Sequence, residues 1–147
     1  MKNPKTTLKT VWDGTVSGQG NIKAGYLDTN IAIPAPVGGS GEGADPKELL
    51  VSAAAACYTM TLVTILETRQ LRVARLTMDS EATDSKEEGF KIVHQPHLVL
   101  PADASEEQIQ LANRAFGTAD KGCGVGNMLK KADVQIDIDG KVSLEEK

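Results

Sequence analysis

The chain has 147 residues, 40% of them hydrophobic and 24% charged, and a formal net charge of −4. That length holds one domain with a real core rather than two. The mild acidity, the lack of any Lys/Arg cluster and only 3% aromatic residues argue against a nucleic-acid surface with stacking platforms.

In chain order, the opening MKNPKTTLKT has lysines but no apolar run behind them, so no secretory leader or lipid anchor is expected. Two cysteines are too few for a disulfide scaffold, and the expected location is the cytoplasm, where a cysteine pair is more often reactive than structural. LKTVWDGTV sets Leu8, Thr10 and Trp12 against Lys9 and Val11. After GTVSGQGNI, AGYLDTNIAIP alternates Leu27, Thr29, Ile31 and Ile33 against Tyr26, Asp28, Asn30 and Ala32. Both patterns predict antiparallel strands joined by tight turns. PAPVGGSGEGADP, residues 34–46, reads as a flexible loop without regular structure, of a kind often used as a lid.

ADPKELL opens a helix: Asp45 as N-cap, Pro46 at the first helical position and Glu48 where a capping box takes a carboxylate, with the helix running to about Gln70. VARLTMDSEAT and FKIVHQPHLVLP form two strands around the turn KEEG. Ser105 with Gln108 starts a second helix that puts Ile109, Ala112, Ala115 and Phe116 on one face. GCGVGNMLKKA leads into a short third helix. VQIDIDGKV closes as one strand, with Val134, Ile136 and Ile138 inward and Gln135, Asp137 and Asp139 outward. The predicted order is β-β-β-α-β-β-α-α-β, an α+β domain with mostly antiparallel strands.

LLVSAAAACYTMTLVTIL, residues 49–66, is eighteen positions without a charge, long enough to span a membrane. Its alanines, threonines and serine make it only weakly hydrophobic and its neighbours are amphipathic strands, so it reads as a core helix and no membrane partner is expected. A helix apolar all round is buried all round, and a chain this short can hardly wrap it alone; a second subunit is the natural cover. Position alone favours inert packing for Cys57, since free cysteine behaves as a small buried hydrophobe. Cys123 shifts the balance. It lies between glycines in KGCGVGNMLKK at the start of a helix, where backbone N–H groups, the helix dipole and Lys121 favour its thiolate.

GEGADPKELLVSAAAACYTMTL, followed by GCGVGNMLKKA and preceded by WDGTVSGQGNI, resembles the OsmC/Ohr family of thiol-dependent peroxidases over nearly the whole chain. The resemblance implies an intertwined homodimer in which antiparallel sheets wrap two central helices. It implies that Cys57 attacks the O–O bond of an organic hydroperoxide and becomes a sulfenic acid, that Cys123 condenses with it to a disulfide, and that a dithiol, such as that of a lipoylated protein, restores both thiols. An apolar pocket about Cys57, lined by Met60, Tyr58 and the Gly-rich loop, would suit a fatty or aryl hydroperoxide. No cofactor and no metal are implied.

The sequence departs from that pattern at two partners of the reactive cysteine. The family's arginine falls at Ser17 or Gly18, and no arginine precedes Arg69; the family's glutamate falls at Lys47, with Glu48 one residue late. One residue turns a helical side chain by about 100°. Glu48 is therefore either a third catalytic member or only a cap, and Lys47 offers a point charge but no bidentate fork. Gly124 and Gly126 stand where family members often carry Pro and Ser. The alternative reading is a thiol redox sensor or apolar-ligand binder without the activating arginine. His94 and His97 in HQPH read as edge-strand polarity, because positions i and i+3 of a strand face opposite ways and Pro96 interrupts the pairing. Neither Gly-rich run forms a phosphate loop, and no CxxC is present.

Overall fold

The computed structural model describes residues 4–146; residues 1–3, part of the stretch read above for a leader, and residue 147 lie outside the described residues. The chain separates into two compact units, dividing between Leu50 and Val51.

The first unit carries a three-stranded antiparallel sheet of β1 (Lys9–Asp13), β2 (Gln19–Lys23) and β3 (Asp28–Ile31), in that order. Gly20 pairs with Trp12 on one side and Ile31 on the other. A Cβ there would lie 2.8 Å from Ile31 Cγ1 and foul the Trp12 ring, so glycine lets the two large side chains close over the strand. β3 stops at Ile31, two residues short of the predicted alternation, and the Gly-rich stretch after it is not a free loop. Ala35–Val37 form a 3-10 turn ended by Gly38 at φ 96°. The amides of Gly39, Gly41 and Ala44 then donate to the carbonyls of Pro34, Ile33 and Asn30 at 3.1, 3.0 and 2.8 Å. The segment is tied back onto β3 by its own backbone, which corrects the lid reading. It borders an apolar cleft of about 420 Å³ lined by Trp12, Ile22, Ile31, Ile33 and Leu49.

Helix α1 spans Pro46–Thr68. Asp45 caps it as expected, its Oδ1 accepting from the Glu48 amide at 2.8 Å. It ends at Gln70, at φ 55°, with the Gln70 amide on Glu67 O and the Leu71 amide on Leu66 O, the paired bonds of a left-handed C-terminal cap.

In the second unit β4 (Arg75–Ser85) and β5 (Gly89–Leu100) form an antiparallel hairpin; β6 (Gln135–Ile138) and β7 (Lys141–Leu144) both run parallel to β5. The fold is α+β as predicted, with one strand more. The closing stretch does not run through: it breaks at Asp139 and Gly140, β6 pairing with 91–94 and β7 with 97–100 of β5. Pro96, which has no N–H to give, falls between those two pairings. β5 is therefore a central strand, and the edge-strand reading of its histidines is corrected. His94 is buried, with Nδ1 2.7 Å from Ser80 Oγ and its ring stacked on Tyr58 at 5.5 Å. His97 Nε2 lies 2.7 Å from Ser143 Oγ.

Helix α2 (Glu106–Gly122) opens with the predicted box: Gln108 N to Ser105 Oγ at 3.2 Å and Ser105 N to Gln108 Oε1 at 2.9 Å. Its buried face, Ala112, Ala115, Phe116 and Ala119, meets Leu98 and Leu100 of β5 and Tyr58, Leu62 and Leu66 of α1. Helix α3 (Gly124–Lys131) follows at once, Cys123 ending one helix and capping the next.

Among the described residues α1 is the one helix long and apolar enough to cross a membrane, with mean hydropathy 2.0. It is not buried all round. Ala54, Tyr58, Leu62 and Leu66, four residues apart, form one buried stripe, while Met60 is 69% and Val63 47% exposed. Four-residue spacing keeps a row of side chains on one helix face, so this chain covers a single face and leaves another apolar one open.

Candidate active site

Cys57 sits half-buried on α1, one residue before the core residue Tyr58, and packs against the cluster that contains Cys123. Tyr58 turns inward, its hydroxyl donating to Phe116 O at 2.9 Å, and Met60 is exposed. The two thiols are near enough for each to shift the other's ionisation.

The first turn of α3 acts on both thiols. The opening amides of a helix have no partner inside it. Cys123, as N-cap, takes the third: its Sγ accepts from Gly126 N at 3.4 Å, and its carbonyl takes the Asn127 amide at 2.9 Å. The first two amides, of Gly124 and Val125, act on the Cys57 thiol and favour its ionised form.

The Val125 amide is the main reason the Cys57 thiol titrates below its ordinary value. Burial opposes it, and the Cys123 thiol, the Gly124 amide and the Thr61 hydroxyl add to the lowering. Cys123 goes the other way. Burial pushes it up, the Gly126 amide pulls back, and Cys57 and the Asp120 carboxylate push it further up. The expectation that the helix start favours a Cys123 thiolate is thus corrected: as N-cap its sulfur draws on the Gly126 amide, and burial outweighs that one donor. The charge that Cys123 feels is not that of Lys121, either. It is that of Asp120, which is paired at 2.8 Å with Lys130 across the α2–α3 junction.

Of the three candidate residues, the structure brings Cys57 and Cys123 together. Glu48 is exposed in the first turn of α1 and is not among the groups that shift the Cys57 thiol. Sequence reasoning missed Thr61, whose hydroxyl also donates to Cys57 O at 2.8 Å; a threonine four residues after a helical cysteine was the available signal. It also missed the Gly124 and Val125 amides, which carry no side-chain signature. Arg69, the first arginine in the chain, binds Leu111 O at 3.3 Å and Thr118 Oγ1 at 3.1 Å.

An α+β fold with three strands ahead of a long apolar helix, a thiol on that helix and a second at the junction of two later helices is the arrangement this chain presents. The chain belongs to the OsmC family: the family model described as "OsmC-like protein" matches residues 39–139. It is 35% identical over 141 residues to the uncharacterized protein YmaD of Bacillus subtilis (strain 168), covering 93% of each chain. Three solved structures share its fold. The OsmC-like protein of Mycoplasma pneumoniae is 16% identical at TM-score 0.73, covering 97% of this chain and 99% of its own. An organic hydroperoxide resistance protein OsmC of Legionella pneumophila is 21% identical at TM-score 0.66, with 97% and 99% covered. The organic hydroperoxide resistance protein OhrB of Bacillus subtilis is 20% identical at TM-score 0.55, with 95% and 98% covered.

Proposed function

We propose that this protein is a cysteine-based peroxidase that reduces organic hydroperoxides to alcohols. The Cys57 thiolate attacks one oxygen of the hydroperoxide and the O–O bond breaks. The alkoxide leaves with a proton as the alcohol, and Cys57 becomes a sulfenic acid. Cys123 then attacks the Cys57 sulfur: an S–S bond forms, the S–O bond breaks, and hydroxide leaves as water. Two thiols and one hydroperoxide give one disulfide, one alcohol and one water; an external dithiol, such as a lipoylated protein, takes up the disulfide. The observation that carries this reading is the meeting of Cys57 with the core cluster that holds Cys123, with Cys57 shifted toward thiolate and Cys123 raised by burial. The names of several structural neighbours agree with it.

The exposed apolar face of α1 is covered, in this reading, by a second copy of the chain. The alanines Ala53 and Ala56 on the exposed part of the helix allow a close approach of backbones. The protein works in the cytoplasm, where dithiol reductants are available.

A second reading rests on the arginines. None precedes Arg69, so a thiol redox sensor, or a binder using the apolar cleft of the first unit, would need no cation at the peroxide. Steady-state consumption of cumene hydroperoxide with dihydrolipoamide separates the two. The peroxidase turns over many times and loses turnover in Cys57→Ser. The sensor oxidises once and stops.

A further inference from the structure

We propose that the Asp120–Lys130 ion pair is a positioning pair for the second half of the reaction: it clamps the α2–α3 junction and so holds the Cys123 sulfur where it can close a disulfide with Cys57. Its purpose rests on the peroxidase reading; the clamp itself rests on bonds between two helices.

Helix α2 ends at Gly122 and α3 starts at Gly124, with Cys123 alone between them at φ −77° and ψ 109°. A Cβ at Gly124 would meet nothing within 4 Å, and one at Gly122 would just reach Thr61 Cγ2 at 3.4 Å. The glycines on either side of Cys123 therefore do little to fix the angle between the helices, since glycine resists rotation least of all residues. The bonds that fix it come from the flanks. Lys130 Nζ reaches back across ten positions to Asp120 Oδ1 at 2.8 Å, and Asn127 Nδ2 donates to Lys121 O at 3.0 Å. The Cys123 sulfur is tied to α3 by the Gly126 amide at 3.4 Å, so a turn of α3 carries the thiol with it.

Asp120 stands against its own helix dipole. It lies in the last turn of α2, where a cation is favoured and a carboxylate opposed, while Lys130 lies in the last turn of α3, where a cation belongs. The acid breaks a local rule and gains its partner on the next helix. Both members are sheltered, the Lys130 side chain 33% and the Asp120 side chain 28% exposed. The Lys23–Asp28 pair, at 3.5 Å, is 66% and 59% exposed, and Asp137 in the Lys91–Asp137 pair, at 3.4 Å, is 63% exposed. Water screens the Asp120–Lys130 pair less, so it fixes geometry better than a surface pair does. Disulfide closure is an intramolecular step, and in such steps a misplacement of about 1 Å costs up to about 100-fold in rate.

Position and charge can be told apart. Asp120→Asn and Lys130→Gln both open the clamp but change the charge near Cys123 in opposite directions; Asp120→Lys with Lys130→Asp closes it again, reversed. Reduced protein is oxidised in a single turnover by cumene hydroperoxide and, separately, by diamide, which takes two hydrogens from a thiol pair and becomes a hydrazine. Quenching over time and mass spectrometry count protein modified at Cys57 alone, with dimedone trapping the sulfenic acid, and protein closed as the disulfide. Both single variants are expected to modify Cys57 at the wild-type rate and to close the disulfide about tenfold more slowly. The swapped pair is expected to close within about twofold of wild type. Urea melts certify folding, and if Asp120→Asn does not fold, Lys130→Gln and the swap decide. Unslowed closure in a folded single variant, opposite effects of the two, or a swap as slow as the singles would overturn the clamp. Slowed closure by diamide in a protein that hydroperoxide leaves untouched would uphold the clamp and sink the peroxidase reading; turnover with unslowed closure would do the reverse.

Discussion

The two faces of α1 should respond to mutation in opposite ways. Leu62 is fully buried between α2 and β5 residues of the core, so Leu62→Ala removes its transfer free energy and leaves a cavity. Such deletions cost about 2–5 kcal/mol, and with a urea slope of about 2 kcal/mol/M the midpoint falls by about 1–2.5 M. Met60, two residues earlier, is 69% exposed, so Met60→Ala in an isolated chain changes stability by less than about 0.5 kcal/mol. If a second copy covers that face, Met60→Glu puts a charge into an apolar interface and dissociates it, while the unfolding of the diluted chain hardly changes. Urea melts at two protein concentrations, with sedimentation velocity, measure both effects. A loss below 1 kcal/mol for Leu62→Ala would refute the packing. An undisturbed oligomer in Met60→Glu, or a wild type that is a monomer at all concentrations, would refute the assignment of the open face.

Three further outcomes follow from the geometry. At neutral pH iodoacetamide should label Cys57 well ahead of Cys123, which is 3% exposed and held protonated; peptide mapping that finds Cys123 labelled first would contradict the division of roles. Burial lowers the His94 pKa from 6.5, so the unfolded chain takes up a proton that the folded one refuses: stability is complete above about pH 6.5 and falls below it. Urea melts from pH 7.5 down to 5 should show that decline in wild type and a flatter line in His94→Gln, and equal slopes would remove burial as the cause. Gly140→Ala should cost about 1–3 kcal/mol, because the new Cβ would lie 2.6 Å from Phe116 Cγ and closer still to the ring edge; a neutral effect in a thermal melt would mean that the ring has room to move.

Much of this architecture is written locally. Asp45 and Ser105 announce their helices because a cap needs only its own next three residues, and both make the expected bonds. The two thiols were likewise recognisable, by the motifs around them. The failures share a cause in non-local pairing. The alternation from Val134 to Asp139 does run on, but Gly140 beneath Phe116 divides it, and that contact spans more than twenty positions. HQPH carries no sign that β5 will be flanked on both sides, so the burial of His94 was illegible. Glycine-rich composition is the same for a mobile loop and for a tight turn; the bonds to Asn30 and Ile33 make it a turn here. The groups that chiefly lower the Cys57 thiol are main-chain amides, which every residue but proline has, so no side chain announces them.

The central claim is that Cys57 and Cys123 act as one peroxidatic pair. The measurement that tests it most directly is a single turnover: fully reduced protein mixed with one equivalent of cumene hydroperoxide, quenched over time, and mapped by mass spectrometry beside Cys57→Ser and Cys123→Ser. The account predicts rapid conversion to a single intramolecular Cys57–Cys123 disulfide, a trapped Cys57 sulfenic acid in Cys123→Ser, and no reaction in Cys57→Ser. Oxidation no faster than that of a free thiol, or a disulfide that forms equally well without Cys57, would contradict it.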